Sequence, residues 1–360
     1  MFHRRYNLVL AALLGPTVLL LSVASALLEP YAGDLTRLGG YREADFGWNG
    51  YQKRFSPPLY ELVATRAMKS PGHVDIMILG DSFSRDTKAS WPNYLVNETG
   101  LTVNVYRHDR LSVEKLVKSD AFLADPPRVL IYQIVERNLA GLQRKSDRPC
   151  VTRNKTLPAA PLMARPLGVE PELQSRKARA SFLNFPQSID YLGKTAMRSI
   201  FGRDPTPTRR LALTREAPFS GSEKQQLLVY KGDLGKSAWT EATWRDIRCG
   251  LVRMQNRVQA NGKTFFVAMV APDKLSAYSD LLSDRQYSTL SRIDILAGDS
   301  GLHLPRIDIQ LKQEISNGTV DVYRGNDTHW GSTGYELAAK GVLDYLIQAG
   351  VIEIAQRRPR

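Results

Sequence analysis

The most regular feature of the chain is a series of short apolar runs separated by stretches of helical period. Val74–Leu79, Thr102–Tyr106, Arg128–Val135 and Thr264–Val270 are mostly apolar and only five to eight residues long. Runs of this kind predict buried parallel strands. Thr319–Tyr323 predicts a fifth. Between and after them, Ser112–Ala124, Thr240–Ala260, Lys274–Ala297 and Ser332–Ala349 carry apolar residues at helical spacing, with Gly350 placed to end the last helix. Strands alternating with helices predict an α/β fold in three layers, a central parallel sheet covered on both faces. Such sheets bind ligands beyond the carboxyl ends of their strands. The chemistry is therefore sought in the loops that follow the apolar runs.

Two segments lie outside this alternation. Leu8–Leu28 has no charged residue, follows Arg4 and Arg5, and is ended by Glu29 and Pro30. Its length suits a membrane-crossing helix with a cytoplasmic amino terminus and an exported body. Residues 1–30 are thus read as a signal anchor, and the Ala24-Ser25-Ala26 triplet leaves a cleaved signal peptide as the alternative. The second segment, about 139–239, is proline-rich with little periodicity. It reads as an insertion with helix at Arg176–Phe182 and Ile189–Ile200, not as a separate domain. Residues 31–73 read as an irregular lead-in, 74–349 as the body, and 350–360 as a basic tail.

Composition fits this picture and narrows it. The chain has 360 residues, 43% hydrophobic and 24% charged, ordinary for a folded protein and unlike a disordered chain or a polytopic membrane protein. Two cysteines exclude a cysteine-dense scaffold. In an exported body Cys150 and Cys249 sit in an oxidising space and are candidates for a disulfide. The net charge is +13, from 49 Lys and Arg against 36 Asp and Glu. Residues 137–216 hold 16 basic and 6 acidic residues, so +10 of that excess belongs to the insertion. For an exported protein this points to an anionic glycan or anionic lipid head groups, not to nucleic acid.

Two motifs carry chemistry. Gly80-Asp81-Ser82-Phe83-Ser84 follows the first strand, where a serine on a strand-to-helix turn offers its hydroxyl for attack and its N–H to an oxyanion. Asp327-Thr328-His329-Trp330 precedes the last helix. Histidine is the usual base for a serine hydroxyl, and a carboxylate two residues away can hold its ring. Asn138 or Arg137, after the third strand, are candidates for a second oxyanion donor; the alternative is that Glu136 and Arg137 form a structural ion pair. Trp330 and Tyr335 are candidates for stacking on sugar rings, or they pack the last helix. Four Asn-x-Ser/Thr sequons occur, at Asn97, Asn154, Asn317 and Asn326, the last overlapping the second motif. Asp34, Asp45 and His73 are scattered and suggest no metal set, and the serine–histidine chemistry needs neither metal nor cofactor.

The two motifs together resemble the SGNH/GDSL hydrolase superfamily, whose fold is a flavodoxin-like three-layer sandwich. The Asp-x-His spacing followed by Trp is similar to the alginate O-acetyltransferase (AlgJ/AlgX-type) group. The resemblance covers roughly residues 74–135 and 241–349 and leaves the insertion outside. In that group the Asp-x-His motif precedes the serine motif; here the serine comes first, as in ordinary SGNH hydrolases. The glycine after the second strand has no counterpart in Tyr106–Arg110, and Val135-Glu136-Arg137-Asn138 stands where the Gly-x-Asn-Asp block is expected. The resemblance implies Ser82 as nucleophile, His329 as base and Asp327 as its orienting acid. It implies a periplasmic O-acetyltransferase acting on an exported polysaccharide, with a membrane-bound O-acyltransferase as acetyl donor, held at a bacterial inner membrane or soluble after signal cleavage. A carbohydrate esterase, and a non-catalytic polysaccharide-binding assembly subunit, are the alternatives.

Overall fold

Five strands pair in parallel in the order Phe265–Ala271, Val129–Val135, Ile76–Gly80, Val103–Arg107, Glu61–Leu62. The computed structural model describes residues 2–63, 73–143, 150–152, 160–175, 184–298 and 301–355. Alternation along the strands makes the three layers. Ile76, Ile78, Val103, Val105, Ile131 and Val267 face one side, with Trp91, Leu95, Ala338 and Val342 from the helices Trp91–Thr99 and Ser332–Gln348. Met77, Leu79, Leu130, Tyr132, Phe266 and Ala268 face the other, with Trp244, Ile247 and Leu251 from the helix Glu241–Val258. Because both faces are covered, the inner strands bury every or almost every residue, which is why they read as unbroken apolar runs.

The chain leaves the central strand Ile76–Gly80 for Val103–Arg107 on one side and returns to Val129–Val135 on the other. The carboxyl end of Ile76–Gly80 is therefore the point where the winding reverses, the place where such sheets hold their ligands.

Several expectations need correction. Thr319–Tyr323 is not a strand; Tyr323 makes only an isolated bridge to Trp330, because the segment closes a hairpin and does not join the sheet. The fifth strand is the two-residue Glu61–Leu62, from the lead-in taken as irregular. That lead-in also forms the helix Asp34–Gly39 and the strand Tyr51–Arg54, which pairs with Glu172–Ser175 of the insertion. Ser112–Ala124 breaks into Val113–Leu116 and Asp120–Ala124, each capped by a serine side chain. Lys274–Ala297 breaks into short turns of helix at Lys274–Ala277 and Ile293–Ala297 with 3-10 turns between. The tail begins as the strand Ile352–Ile354, paired with Leu162–Ala164. The insertion helix at Ile189–Ile200 is present as Phe185–Ser199, while Arg176–Phe182 lies outside the described residues. Gly350 takes the left-handed conformation, φ 69°, just past the last helix.

The helix Phe2–Leu27 meets the body only near its carboxyl end, where Ser25 is buried against Ser188. Its His3–Leu27 stretch has a mean hydropathy of 2.2 and is only 6% buried, long and apolar enough to cross a membrane or to serve as a signal sequence.

Cys150 and Cys249 form a disulfide, their Cα atoms 5.2 Å apart across a sequence separation of 99. It ties the insertion to the helix Glu241–Val258. Closing a loop of that size restricts the unfolded chain by up to about 4.7 kcal/mol in the chain-entropy account. Cys150→Ser and Cys249→Ser are each expected to lower the unfolding midpoint by the same amount. Mass spectrometry of the non-reduced protein should find no free thiol; two alkylatable thiols would contradict the bond.

Candidate active site

Each residue of Gly80–Ser84 has an identifiable task. A Cβ on Gly80 would stand 2.5 Å from the Ser84 side chain, so only glycine allows the turn to close. The Asp81 carboxylate accepts the N–H of Phe83 at 2.9 Å and that of Val135 at 2.6 Å, joining the turn to the end of the neighbouring strand. Gln133 accepts from the Asp81 N–H at 3.0 Å and from the Ser84 hydroxyl at 2.7 Å; Trp91 Nε1 donates to Ser84 at 2.9 Å. Phe83 is buried against the rings of His329 and Trp330, centroids 4.8 and 4.7 Å away. Ser82 is half-buried, at the start of a 3-10 turn whose first N–H has no acceptor within the turn.

His329 meets it from 247 residues away. Its Nε2 lies 2.8 Å from Ser82 Oγ, and its Nδ1 lies 2.7 Å from Asp327 Oδ1. The hairpin carrying Asp327 and His329 closes through the Tyr323–Trp330 bridge, with the Arg324 N–H donating to the His329 carbonyl at 3.3 Å. Asp327 Oδ1 also accepts the His329 N–H at 2.9 Å, so one carboxylate oxygen fixes backbone and ring together. Arg324 approaches Asp327 Oδ2 at 3.4 Å. Burial alone raises the Asp327 pKa, but Arg324 and the hydrogen bonds to His329 outweigh it and hold the carboxyl well below the usual range.

Two positioning groups were not identified from sequence. Asp34, set aside as scattered, accepts the Thr328 N–H at 2.8 Å and its hydroxyl at 2.6 Å, and stands 3.8 Å from His329 Nδ1. Its neighbours dock on the same loop: the N–H groups of Leu35 and Thr36 both donate to the Asn326 carbonyl, at 3.0 and 3.3 Å. A Cβ on Gly33 would stand 2.1 Å from that oxygen. Burial and the charge of Asp327 raise the Asp34 pKa, so the two carboxyls flanking the imidazole are driven apart. Lys274, fully buried, donates to the carbonyls of Arg324 and Gly325 at 2.9 and 2.8 Å. Burial lowers its pKa to about 7.

Glu136 and Arg137, for which a mutual ion pair was the alternative to an oxyanion role, do not pair with each other; they enter a buried cluster. Lys236 binds Glu136 at 3.1 Å and also Asp273, while Arg137 binds Asp273 at 2.9 Å and Asp233 at 3.3 Å. Burial and the adjacent Asp273 raise the Asp233 pKa well above the usual range. Arg137 and the exposed Asn138 line an open cleft of about 440 Å³ with Asp34, Leu38, Tyr230 and Thr328, bordering the base side of the triad. Trp330 and Tyr335 are buried, ring centroids 5.6 Å apart. Their faces are used in packing the last helix, so the stacking role on a sugar is withdrawn. Asn326 is also fully buried, its amide donating to Glu43, which leaves no room for a glycan in the folded chain.

Among the described residues Asp34, Asp327 and His329 also bring ligand atoms within 4.8 Å of one another, as a metal site would. The hydrogen bonds already account for them: both Asp34 oxygens serve Thr328, and Asp327 Oδ1 serves the imidazole.

If Asp34 acts through Thr328, the two form one unit. Asp34→Ala and Thr328→Val should each slow labelling of Ser82 by a fluorophosphonate by roughly 10- to 100-fold, the worth of a charge-assisted hydrogen bond. The double variant should be no slower than either single one; additive losses would separate them. Lys274 gives a pH signature. Its pKa is about 7 folded and roughly 10.4 unfolded, so between these values the unfolded chain holds the extra proton and stability rises with pH. Relative to Lys274→Met, the native protein should gain stability from pH 7 to 10 in thermal unfolding; parallel profiles would contradict the buried amine.

No protein-family model, no curated protein and no solved structure gives a significant match to the chain.

Proposed function

We propose that the chain is a serine acyltransferase of the SGNH type that acetylates hydroxyls of an exported polysaccharide. The observation that carries acyl chemistry is the line Ser82 Oγ, His329 Nε2, His329 Nδ1, Asp327 Oδ1, with contacts of 2.8 and 2.7 Å. His329 takes the Ser82 proton as Oγ attacks the acetyl carbonyl. The oxyanion meets the Ser82 N–H and a second donor from the Arg137–Asn138 side of the cleft. His329 then protonates the leaving group, and an acetyl-serine remains. A sugar hydroxyl gives its proton to His329, attacks the ester and leaves acetylated, and the proton returns to Ser82.

Transfer in place of hydrolysis is supported by the Asp-x-His-Trp spacing and by the membrane-length helix ahead of the body. Arg4 and Arg5 before that helix, and the disulfide in the body, favour a bacterial inner-membrane anchor with the body in the periplasm. A membrane-bound O-acyltransferase would then supply the acetyl group. The serine-first motif order favours a second reading, a carbohydrate esterase in which water replaces the sugar.

The purified chain, given an activated acetyl ester with and without acceptor oligosaccharide, separates these readings. Acetylated sugar is expected; acetate alone would assign the esterase. Ser82→Ala and His329→Ala should each lose about 10³-fold or more in turnover, and by similar factors, because triad members act as one unit. A native chain with no turnover, and cellular acetylation unchanged in Ser82→Ala, would reject both readings.

A further inference from the structure

The helix Phe185–Ser199 turns its polar side inward. Gln187 and Ser188 are buried, Lys194 donates to the Arg37 carbonyl at 2.9 Å, and Arg198 donates to the carbonyls of Gly39 and Gly40 with its guanidinium 4.5 Å from the Tyr41 ring. The outward side is apolar. Ile189, Leu192, Ala196 and Ile200 recur at spacings of three and four and so share one face. Ile189 is 58% exposed, Ile200 73% and the adjoining Phe201 63%. A helix on an aqueous surface has the opposite polarity.

The position of this helix says what covers the stripe. Ser188 Oγ hydrogen-bonds Ser25 Oγ at 2.7 Å, and Gln187 donates to the Glu29 carbonyl at 2.6 Å. Ser25 belongs to the last turns of the helix Phe2–Leu27. Helix rise from Leu8 to Ser25 is about 26 Å, against a hydrocarbon core of about 30 Å. Ser25 therefore reaches the outer boundary of the core, and its bond brings Ser188 to the same depth.

We propose that Phe185–Ser199 is a membrane-interface helix whose Ile189, Leu192, Ile200 and Phe201 stripe enters the lipid bilayer beside the anchor. This rests on reading Phe2–Leu27 as a retained anchor, since cleavage after Ala26 would remove Ser25. The bilayer satisfies both halves of the observation: lipid covers the apolar face, and Arg203, exposed just past the helix, meets anionic head groups. With two points of attachment the body holds one orientation on the membrane.

The test uses the full chain in vesicles of phosphatidylethanolamine and phosphatidylglycerol. Ile189→Cys and Ile200→Cys carry a nitroxide, and Ile309→Cys, 52% exposed on the body, is the control. Both helix labels should be more accessible to oxygen than to a water-soluble nickel chelate, and the control the reverse. Flotation after an alkaline wash reports the anchor independently. A protein that still floats, but whose label at 189 or 200 is open to nickel or shielded from both reagents, overturns the interface helix while the anchor stands. A protein stripped by the wash overturns the anchor, and the interface helix with it.

Discussion

The Ser82–His329–Asp327 arrangement depends on a clamp that holds one loop. Asp327 and His329 ride on a hairpin that belongs to no sheet, and a free hairpin could not keep an imidazole at 2.8 Å from a serine on another element. Asp34 grips Thr328 with both carboxylate oxygens, the Leu35 and Thr36 N–H groups grip the Asn326 carbonyl, and Lys274 holds the two carbonyls before it. Tyr323 adds a hydrogen bond to the Pro272 carbonyl at 2.6 Å, at the end of the edge strand Phe265–Ala271. The hairpin's own hydrogen bonds are thus reinforced by partners from three other parts of the chain, which is how a site is organised before substrate arrives.

Charge is arranged with the same economy. The site places Asp34 and Asp327 on either side of one imidazole, where two full negative charges would compete. Arg324 favours ionisation of Asp327 and burial disfavours it at Asp34, so in the proposed acylation the imidazolium would find its favoured counter-ion in Asp327. Behind the cleft the Glu136, Asp233, Asp273, Arg137 and Lys236 cluster fixes the ends of two strands. Buried ion clusters of this kind add little net stability over apolar packing but tolerate few alternative arrangements, and removing one member strands its partner.

Much of this was legible in the sequence, and what was not has physical causes. Inner strands such as Val129–Val135 are buried on both faces, so they appear as apolar runs. Ser82, Asp327 and His329 could be assigned because the chemistry restricts both residue type and spacing. The disulfide partners followed from there being only two cysteines. Asp34 was invisible because it binds a backbone N–H and a hydroxyl, as surface aspartates commonly do; only the fold brings it 294 residues along the chain to Thr328. Glu61–Leu62 is too short to show a period. Trp330 and Tyr335 were open to two readings because an aromatic beside a catalytic histidine looks the same whether it packs or binds.

One consequence follows from how soon the clamp begins. The apolar helix Phe2–Leu27 ends seven residues before the gripping carboxylate, Asp34. Seven residue steps extend at most ~25 Å. The hairpin that carries His329 is therefore on a short leash. If the helix is a retained anchor and the proposed transfer holds, only acceptors within reach of the outer lipid surface can meet Ser82, and a polymer would be modified as it passes the membrane.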